Sequence, residues 1–302
     1  MNNETTRGFV TIATGQRWYY TMAMNLLKSY RQTTKNPLPF AIIADEENDI
    51  TGSFDKTIRI ADPTNSYMDK LFLGEYLPYD ETIFIDADCL AYADLNGLFD
   101  IFREESDVSC FGITEPLADE NQGWFSLQSF SQASSEGKIL TRSQAMSKLP
   151  YSVGMHGGLL YMRRTELTRR VFQNARELAA HYGAYRFRLF RKPADEPVLA
   201  LAMALHRCQP IPYERFDMTC YWTEKRLRLN FFKQRAFRRD GHPIKLLHWG
   251  TRHTKTPIYK KQIDQMNMKI NGTKGLPVFL ANLRNNYYIL RFHLGRKLKS
   301  RK

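Results

Sequence analysis

The feature that most constrains the fold is the alternation of short apolar runs with segments of helical spacing in the first part of the chain. The predicted strands are residues 8–13, 39–44, 56–60, 83–85 and 108–111. The predicted helices between them are residues 18–30, 68–77 and 95–102, the last with Asp94 as its N-cap. Strands that alternate with helices predict an α/β fold, in which helices cover both faces of a mostly parallel sheet.

The later part of the chain is less regular. Its predicted elements are a strand at residues 156–162, a helix at 165–180, a helix at 196–206 with Asp195 as its N-cap, and a short strand at 245–250. Residues 115–150 are rich in Ser, Gln and Gly, and they fit either a lid or acceptor-binding segment or a small satellite core.

Two carboxylates follow the fourth predicted strand. Asp86 and Asp88 are one residue apart, so at strand period they point to the same side with Ala87 opposite. Carboxylates that share one side repel each other unless a cation lies between them, and Mg²⁺ and Mn²⁺ prefer oxygen ligands. An isolated pair of this kind is more often two solvated aspartates at a turn. The segments that follow it in the chain favour the metal site instead.

The positive charge of the chain is concentrated at its C-terminal end. The formal net charge is +13, of which residues 258–302 carry +10. The first 257 residues carry only +3, which argues against a globule that binds nucleic acid and for a tail with an anionic partner. The four cysteines show no C-x-x-C spacing, and no secretory signal is recognised, so a cytoplasmic location is expected.

Several short motifs occur in an order that is typical of one enzyme family. In chain order they are Ala13-Thr14-Gly15 with Tyr19 behind it, residues 67–78 with Lys70, Asp86-Ala87-Asp88, His156-Gly157-Gly158, Asp195-Glu196, and His248-Trp249-Gly250 followed by Lys255. In this order the chain resembles the glycosyltransferase family 8 type of nucleotide-sugar transferases, which have the GT-A fold. The resemblance covers roughly residues 8–257, taken as the catalytic domain.

The chain departs from the family pattern at three positions. Lys70 stands where the family usually has arginine, which replaces a bidentate phosphate contact with a point charge. His156 replaces asparagine, and Glu196 replaces glutamine. The gap from His248 to Lys255 is also longer than usual.

The resemblance implies a metal-dependent, retaining transfer of a sugar from a UDP-sugar. It implies that Asp86, Asp88 and His248 hold Mn²⁺ or Mg²⁺, and that Asp195 and Glu196 are the catalytic residues. The implied donor-binding residues are Ala13, Thr14, Gly15, Tyr19, Lys70, Gly158, Gly250 and Lys255. Retention is compatible with a covalent glycosyl-enzyme or with departure and attack on one face, and a carboxylate at 196 makes the covalent route easier than an amide would.

The basic tail, residues 258–302, predicts an interfacial helix. Within residues 276–302, apolar side chains recur three and four positions apart, at Leu280, Leu283, Tyr287, Leu290 and Leu294. Five of the last seven residues are basic. This pattern suits the surface of an anionic membrane, with the protein peripherally bound at its inner face and a glycan or lipid-linked acceptor there. The alternative is that the apolar stripe packs on the globule.

Two other functions fit parts of the sequence. An apolar strand followed by D-x-D also begins the site of haloacid dehalogenase-type phosphatases, in which Asp86 would be the nucleophile. That site normally lies on the first strand and needs a later acidic pair. A non-catalytic membrane-binding module would use only the basic tail, and it predicts no affinity for nucleotide or Mn²⁺.

Overall fold

The computed structural model describes residues 5–103, 106–130, 139–188, 192–223 and 227–299, with the side chains of residues 294–299 left out. The strands are β1 (Arg7–Ala13), β2 (Phe40–Ala44), β3 (Lys56–Arg59), β4 (Glu81–Ile85), β5 (Cys89–Ala91), β6 (Val108–Pro116), β7 (Tyr151–Arg163), β8 (Met218–Cys220), β9 (Arg228–Asn230), β10 (Arg235–Phe237) and β11 (Leu246–His248). The α-helices are α1 (Arg17–Thr33), α2 (Leu98–Phe102), α3 (Arg142–Lys148), α4 (Glu166–Ala180), α5 (Asp195–Leu205), α6 (Pro257–Ile270) and α7 (Leu276–Lys299).

These elements divide between two compact units. Unit 1 comprises Met1–Ala23, Leu38–Ala87 and Gly97–Arg215, and unit 2 comprises Met24–Pro37, Asp88–Asn96 and Phe216–Lys302. The predicted division into residues 1–257 and 258–302 is a different grouping and stays a prediction.

The core of unit 1 is built on a six-stranded sheet of order β3-β2-β1-β4-β7-β6. Strands β3, β2, β1 and β4 are parallel, while β7 runs antiparallel to both β4 and β6. Every residue of β2 and β4 is buried, which explains the apolar runs at residues 40–44 and 83–85. The predicted α/β class with a mostly parallel sheet is confirmed.

Local details of unit 1 differ from the predictions. The predicted helix at 68–77 is a 3₁₀ helix, Tyr67–Phe72, with Ser66 as its N-cap. The carboxylate of Asp94 does not cap α2, because it accepts the Asn96 amide at 2.8 Å in the preceding turn. The stretch 115–150 contributes Phe125, Phe130 and Leu149, among others, to the main core of unit 1. This fits the predicted alternative in which the stretch is a core segment.

Unit 2 has smaller sheets and two long helices. Strands β5, β11 and β8 form one sheet and β9 and β10 a hairpin-like pair. Their core includes Leu90, Phe231, Trp249 and Met266. Within the described residues, no helix combines the length and the apolar character needed to cross a bilayer.

Candidate active site

The carboxyl ends of the parallel strands β1, β2 and β4 meet at one edge of the unit 1 sheet, where ligands of open α/β sheets bind. At the end of β1, Ala13 is buried and pairs with Ala44. Thr14 Oγ1 then donates to Asp69 Oδ2 at 2.7 Å. The Gly15 amide donates to Asp45 Oδ2 at 2.9 Å. The turn after β1 is therefore held by two carboxylates.

Glycine is required in this turn. Gly15 has a φ of +75°, and a Cβ there would lie 2.9 Å from Asn65 Oδ1. Tyr20 OH donates a short hydrogen bond to the Asp45 carboxylate. Burial tends to raise the pKa of Asp45, but hydrogen bonds from Tyr20 and Gly15 outweigh it and lower that pKa. Tyr19, one position earlier in α1, is half-buried.

A buried lysine lies at the centre of the predicted catalytic residues of unit 1. Lys70 Nζ lies 2.9 Å from Asp86 Oδ1 and 3.0 Å from Asp195 Oδ2, and it donates to the Gly157 carbonyl at 3.3 Å. Burial opposes the charge of Lys70, but the carboxylates of Asp195 and Asp86 outweigh it and raise its pKa. Lys70 is therefore a permanent cation within a carboxylate cluster.

Asp195 has a different position from the predicted one. It is the first residue of α5, and the N-cap is Ala194, which makes no side-chain capping bond. The Oδ2 atom of Asp195 is buried and forms the ion pair with Lys70, but it accepts no hydrogen bond from the described residues. A buried carboxylate oxygen in this state is suited to accept a hydroxyl from a ligand.

Glu196 packs directly against strand β7. Its Oε1 accepts the Gly157 amide at 2.8 Å, and a Cβ at Gly157 would lie 2.8 Å from Glu196 Cγ. Only glycine lets β7 and the start of α5 approach so closely. The next residue, Gly158, accepts the Asp86 amide at 3.0 Å, which ties β7 to the end of β4.

The carboxyl group of Glu196 is easily protonated. Burial is the largest cause that raises its pKa, the negative charge of Asp195 adds to it, and the Gly157 amide and Lys70 oppose them. The resulting pKa is about 7, compared with 4.5 for an ordinary glutamate. A carboxyl with such a pKa exchanges its proton near neutral pH, as acid–base and nucleophilic groups do.

Asp88 and His248 form a second cluster, within unit 2. His248 Nε2 lies 2.9 Å from Asp88 Oδ1, and Thr251 Oγ1 donates to Asp88 Oδ2 at 3.1 Å. Cys89 Sγ completes a group whose ligand atoms all lie within 4.8 Å of one another. The backbone fixes this arrangement, because His248 pairs with Cys89 across β11 and β5, and the Trp249 amide donates to the Asp88 carbonyl at 3.0 Å.

The end of β4 changes the interpretation of the two aspartates. Strand β4 ends at Ile85 and β5 begins at Cys89, so Asp86 and Asp88 lie in the connection and the strand period no longer applies to them. Each aspartate belongs to its own cluster, Asp86 with Lys70 and Asp88 with His248.

The other predicted residues of unit 2 lie after β11. Gly250 has a φ of +70°, and a Cβ there would lie 2.8 Å from Trp222 Cζ3. The Trp222 ring in turn contacts the His248 ring edge-on, with centroids 4.9 Å apart. Lys255 is exposed in the turn before α6.

Solved glycosyltransferases share this fold. The apo structure of WbbM, a bifunctional glycosyltransferase, is matched with a TM-score of 0.51 at 13% identity, over 94% of this chain and 52% of WbbM. The galactosyltransferase LgtC, in complex with donor and acceptor sugar analogues, is matched with a TM-score of 0.50 at 12% identity, over 89% of this chain and 97% of LgtC. An LgtC active-site variant with glutamate in place of glutamine is matched at 13% identity with a TM-score of 0.51, over the same shares.

The fold is GT-A. The chain spans about half the length of WbbM and nearly all of LgtC. No protein-family model and no curated protein matches the sequence. The likeness is therefore one of GT-A architecture, and membership of family 8 stays a prediction.

Sequence reasoning missed two residues that shape this GT-A site, Asp45 and Asp69, which hold the turn after β1. Gly157 belongs to the motif His156-Gly157-Gly158 singled out in the sequence, and it sets the distance between β7 and Glu196. Asp45 follows an apolar strand directly, which is the same signal that marks Asp86. The sequence carries no signal for Asp69, because its partner Thr14 is 55 residues away.

Proposed function

We propose that the chain is a metal-dependent, retaining glycosyltransferase that moves a sugar from a UDP-sugar to a glycan or lipid-linked acceptor at a membrane surface. The observation that carries this proposal is the buried carboxylate cluster around Lys70 at the carboxyl edge of a GT-A sheet. In that cluster Asp195 Oδ2 forms an ion pair but accepts no hydrogen bond from the described residues, and Glu196 has a pKa near neutrality. The solved structures with this fold are glycosyltransferases, and LgtC holds donor and acceptor sugar analogues.

The sugar-facing chemistry follows from the charges of the cluster. Oδ2 of Asp195, which accepts no hydrogen bond from the described residues, accepts a donor-sugar hydroxyl and orients the ring. Ionised Glu196 faces the anomeric carbon, where it stabilises positive charge or bonds to that carbon while the carbon–oxygen bond to the diphosphate breaks and its electron pair leaves with the diphosphate. LgtC has been solved with glutamate replacing an active-site glutamine, the exchange that the family resemblance assigns to Glu196.

The donor set of Asp88 and His248 fits a divalent cation. A carboxylate oxygen and an imidazole nitrogen lie 2.9 Å apart, and this pairing of donors suits Mn²⁺ better than an all-oxygen set does. Asp86, two residues earlier in the chain, is the proposed third ligand. When bound, the cation stabilises the negative charge that develops on the leaving diphosphate. Lys255 and the Gly250 backbone are the proposed phosphate contacts on this side.

The nucleoside end of the donor is assigned to the turn after β1. The backbone of Ala13, Thr14 and Gly15 is fixed there by Asp69 and Asp45, and Tyr19 follows at the start of α1. A rigid turn with glycine in the left-handed region lets a ligand approach the main chain closely. The Gly158 carbonyl accepts a hydrogen bond from the Asp86 amide, and Gly158 lies beside the same edge of the sheet.

Helix α7 supports the proposed membrane surface. Leu280, Leu283, Tyr287 and Leu290 are each at least half exposed, so the predicted apolar stripe faces outward. An outward apolar stripe on a basic helix is the pattern of an interfacial helix. The side chain of Leu294 and the basic end of the tail lie outside the described residues. Peripheral binding at the inner face of the membrane is part of the proposal.

The direct test is a transfer assay on the purified full chain. Candidate UDP-sugars are supplied with Mn²⁺, and UDP release and glycosylated product are measured with and without EDTA. Glu196→Gln should lose turnover but keep donor affinity, because the amide preserves size and most hydrogen bonds. In wild type, kcat should rise with pH through about 7 as Glu196 ionises, because a carboxylate nucleophile must be charged.

Three results would contradict the proposal. Full activity in EDTA would exclude a metal-assisted transfer. A product of inverted anomeric configuration, read by proton NMR, would exclude the retaining mechanism. Hydrolysis of a generic phosphate ester without sugar transfer would indicate a phosphatase.

A further inference from the structure

Unit 2 contains a cavity that the proposed transfer chemistry does not use. Its volume is about 640 Å³, which is within the range of sites for small molecules. The residues that line it are Tyr221, Trp222, Leu227, Leu229, Arg252, His253, Thr256, Ile258, Lys261, Gln262, Ile289, Phe292 and His293. They come from the segment between β8 and β9, from β9 itself, from the turn and helix after β11, and from α7.

The lining combines an apolar surface with a basic one. Aliphatic and aromatic side chains make up more than half of it, and Arg252 and Lys261 add permanent positive charge. Among the described residues that line the cavity, none is acidic. A ligand that matches such a lining has an anionic group joined to an apolar body.

Lys261 is the lining residue that a bound anion would stabilise most. Its Nζ donates to Asn286 Oδ1 at 2.8 Å, and within the described parts of the chain it has no carboxylate at ion-pair distance. Burial lowers its pKa, and no neighbouring negative charge offsets that burial. An ammonium group in this position gains charge-assisted hydrogen bonds when an oxyanion enters.

Helix α7 separates this cavity from the outward apolar stripe. Ile289, Phe292 and His293 recur at helical spacing on the side that lines the cavity. Leu283 and Leu290 lie on the exposed side of the same helix. If α7 binds a membrane by its outer face, its inner face lines a cavity close to that membrane. Such a cavity suits a molecule that comes from the membrane.

We propose that this cavity binds the phosphate and the first part of the hydrocarbon chain of a lipid phosphate that carries the sugar acceptor. The identification of the lipid as an acceptor rests on the proposed function, whereas the binding itself does not. Lys261 and Arg252 bind the phosphate oxygens. Leu227, Leu229 and Ile289 pack against the chain.

The test measures binding to the full chain by calorimetry, with neither donor nor metal present. Three probes are compared at concentrations where none forms micelles: decyl phosphate, inorganic phosphate and decyl maltoside. Decyl phosphate should bind with one site per chain and at least about tenfold more tightly than the other two, because only it matches both surfaces of the cavity. Equal binding of inorganic phosphate would indicate a site for the free anion, and equal binding of decyl maltoside would indicate a purely apolar site; each result overturns the inference.

Paired substitutions locate the site. Lys261→Gln should weaken decyl phosphate binding about tenfold, while Lys260→Gln, which removes the same charge from an exposed neighbour, should leave it unchanged. Ile289→Glu places a negative charge in the cavity and should abolish binding. Leu290→Glu adds the same charge to the exposed face of α7 and should keep it.

Equal effects within either pair would place the site elsewhere and overturn the inference. Circular dichroism checks that each variant is folded, and the lysine pair decides the matter if Ile289→Glu is unfolded. Because no sugar is transferred in this assay, a chain that lacks transferase activity still tests the cavity. If the chain transfers sugar but shows no selectivity for decyl phosphate, the proposed function is retained and only the lipid phosphate site is excluded.

Discussion

Asp86 and Asp88 are separated by one residue, yet the structure gives them different partners. In unit 1, Asp86 is paired with a lysine that is part of the chain and that also holds Asp195. In unit 2, Asp88 is paired with an imidazole 2.9 Å away. A lysine ammonium is a fixed charge that binds no hard metal while protonated, whereas a neutral histidine is a common metal ligand.

This difference assigns separate tasks to the two clusters. Lys70 is a permanent cation beside Asp86 and Asp195, so part of their negative charge is offset before any ligand arrives. Asp88 and His248 contact each other, and both side chains are of types that bind a metal ion. The two-aspartate motif therefore combines a structural charge pair with an exchangeable ligand pair, and the following substitutions test that division.

The largest effect on stability is expected for Lys70→Met. It leaves the carboxylates of Asp86, Asp195 and Glu196 without their cation and should lower the free energy of unfolding by about 3–5 kcal/mol. Urea unfolding monitored by circular dichroism measures the loss. Adding Asp195→Asn should recover part of it, because one uncompensated charge is removed. An unchanged urea midpoint in Lys70→Met would show that the cluster is solvated rather than buried.

A metal effect on stability should depend on the unit 2 pair and not on Lys70. Mn²⁺ at a hundred times its dissociation constant should stabilise the wild type by about 2.7 kcal/mol, seen as a rise in Tm. Asp88→Ala and His248→Ala should lose this rise and the sugar transfer with it. Lys70→Arg is the matched control in unit 1 and should keep the rise. If it loses the rise as fully as Asp88→Ala, the two clusters do not have separate tasks.

Asp86→Ala tests the boundary between these tasks. It removes a proposed ligand together with one partner of Lys70, so it should lose transfer and also some stability. Asp88→Ala should lose transfer with little change in stability in the absence of metal. Equal stabilities of the two variants would indicate that Asp86 contributes nothing to the Lys70 cluster.

Glu196 should make the stability of the wild type depend on pH. Its pKa is raised from 4.5 to about 7 in the folded protein, so the folded state favours the protonated form. The contribution of the carboxyl group to stability is complete below about pH 4.5 and is lost as the pH rises through about 7. Between those values the wild type should lose up to about 1.4 kcal/mol per pH unit relative to Glu196→Gln. Parallel stability curves for the two proteins would exclude a buried, protonated Glu196.

The smallest effects are expected from alanine at two glycines, one in each unit. Gly157→Ala pushes against Glu196, and Gly250→Ala is strained by its φ of +70° and by Trp222, so each should cost about 1–2 kcal/mol. Gly157→Ala should shift the pH profile of transfer but keep the Mn²⁺ effect on Tm. Gly250→Ala should weaken the Mn²⁺ effect and keep the pH profile. The same response in both variants would argue against separate clusters.

The sequence predicted the parts of the fold that depend on local pattern. The buried runs of β2 and β4 and the amphipathic spacing of α1 can be recognised in the sequence. A strand buried on both faces, or a helix buried along one stripe, determines the residue type at each position directly. Strands β8, β9 and β10 of unit 2 are three residues each and were not predicted. Elements that short have no measurable period, and long-range pairing alone decides their conformation.

The candidate site was predicted in the same partial way. Residue types and spacing indicated Asp86 and Asp88, and the family resemblance implied Asp195, Glu196 and His248. The partners of these residues could not be read from the sequence, because Lys70 meets Asp195 from 125 positions away and only the packed sheet brings them together. The N-cap assigned to Asp195 was wrong for the same reason, since a tertiary ion pair holds the side chain away from the helix end.

The contact between α6 and α7 has a consequence for how unit 2 is built. Buried Asn285 donates to Asp264 Oδ2 at 3.1 Å, and Gln265 donates to Asn282 Oδ1 at 3.1 Å, while leucines and tyrosines of α7 face outward. Polar side chains therefore form part of the contact that holds α7 to α6, and the exposed apolar side chains of α7 take no part in these hydrogen bonds.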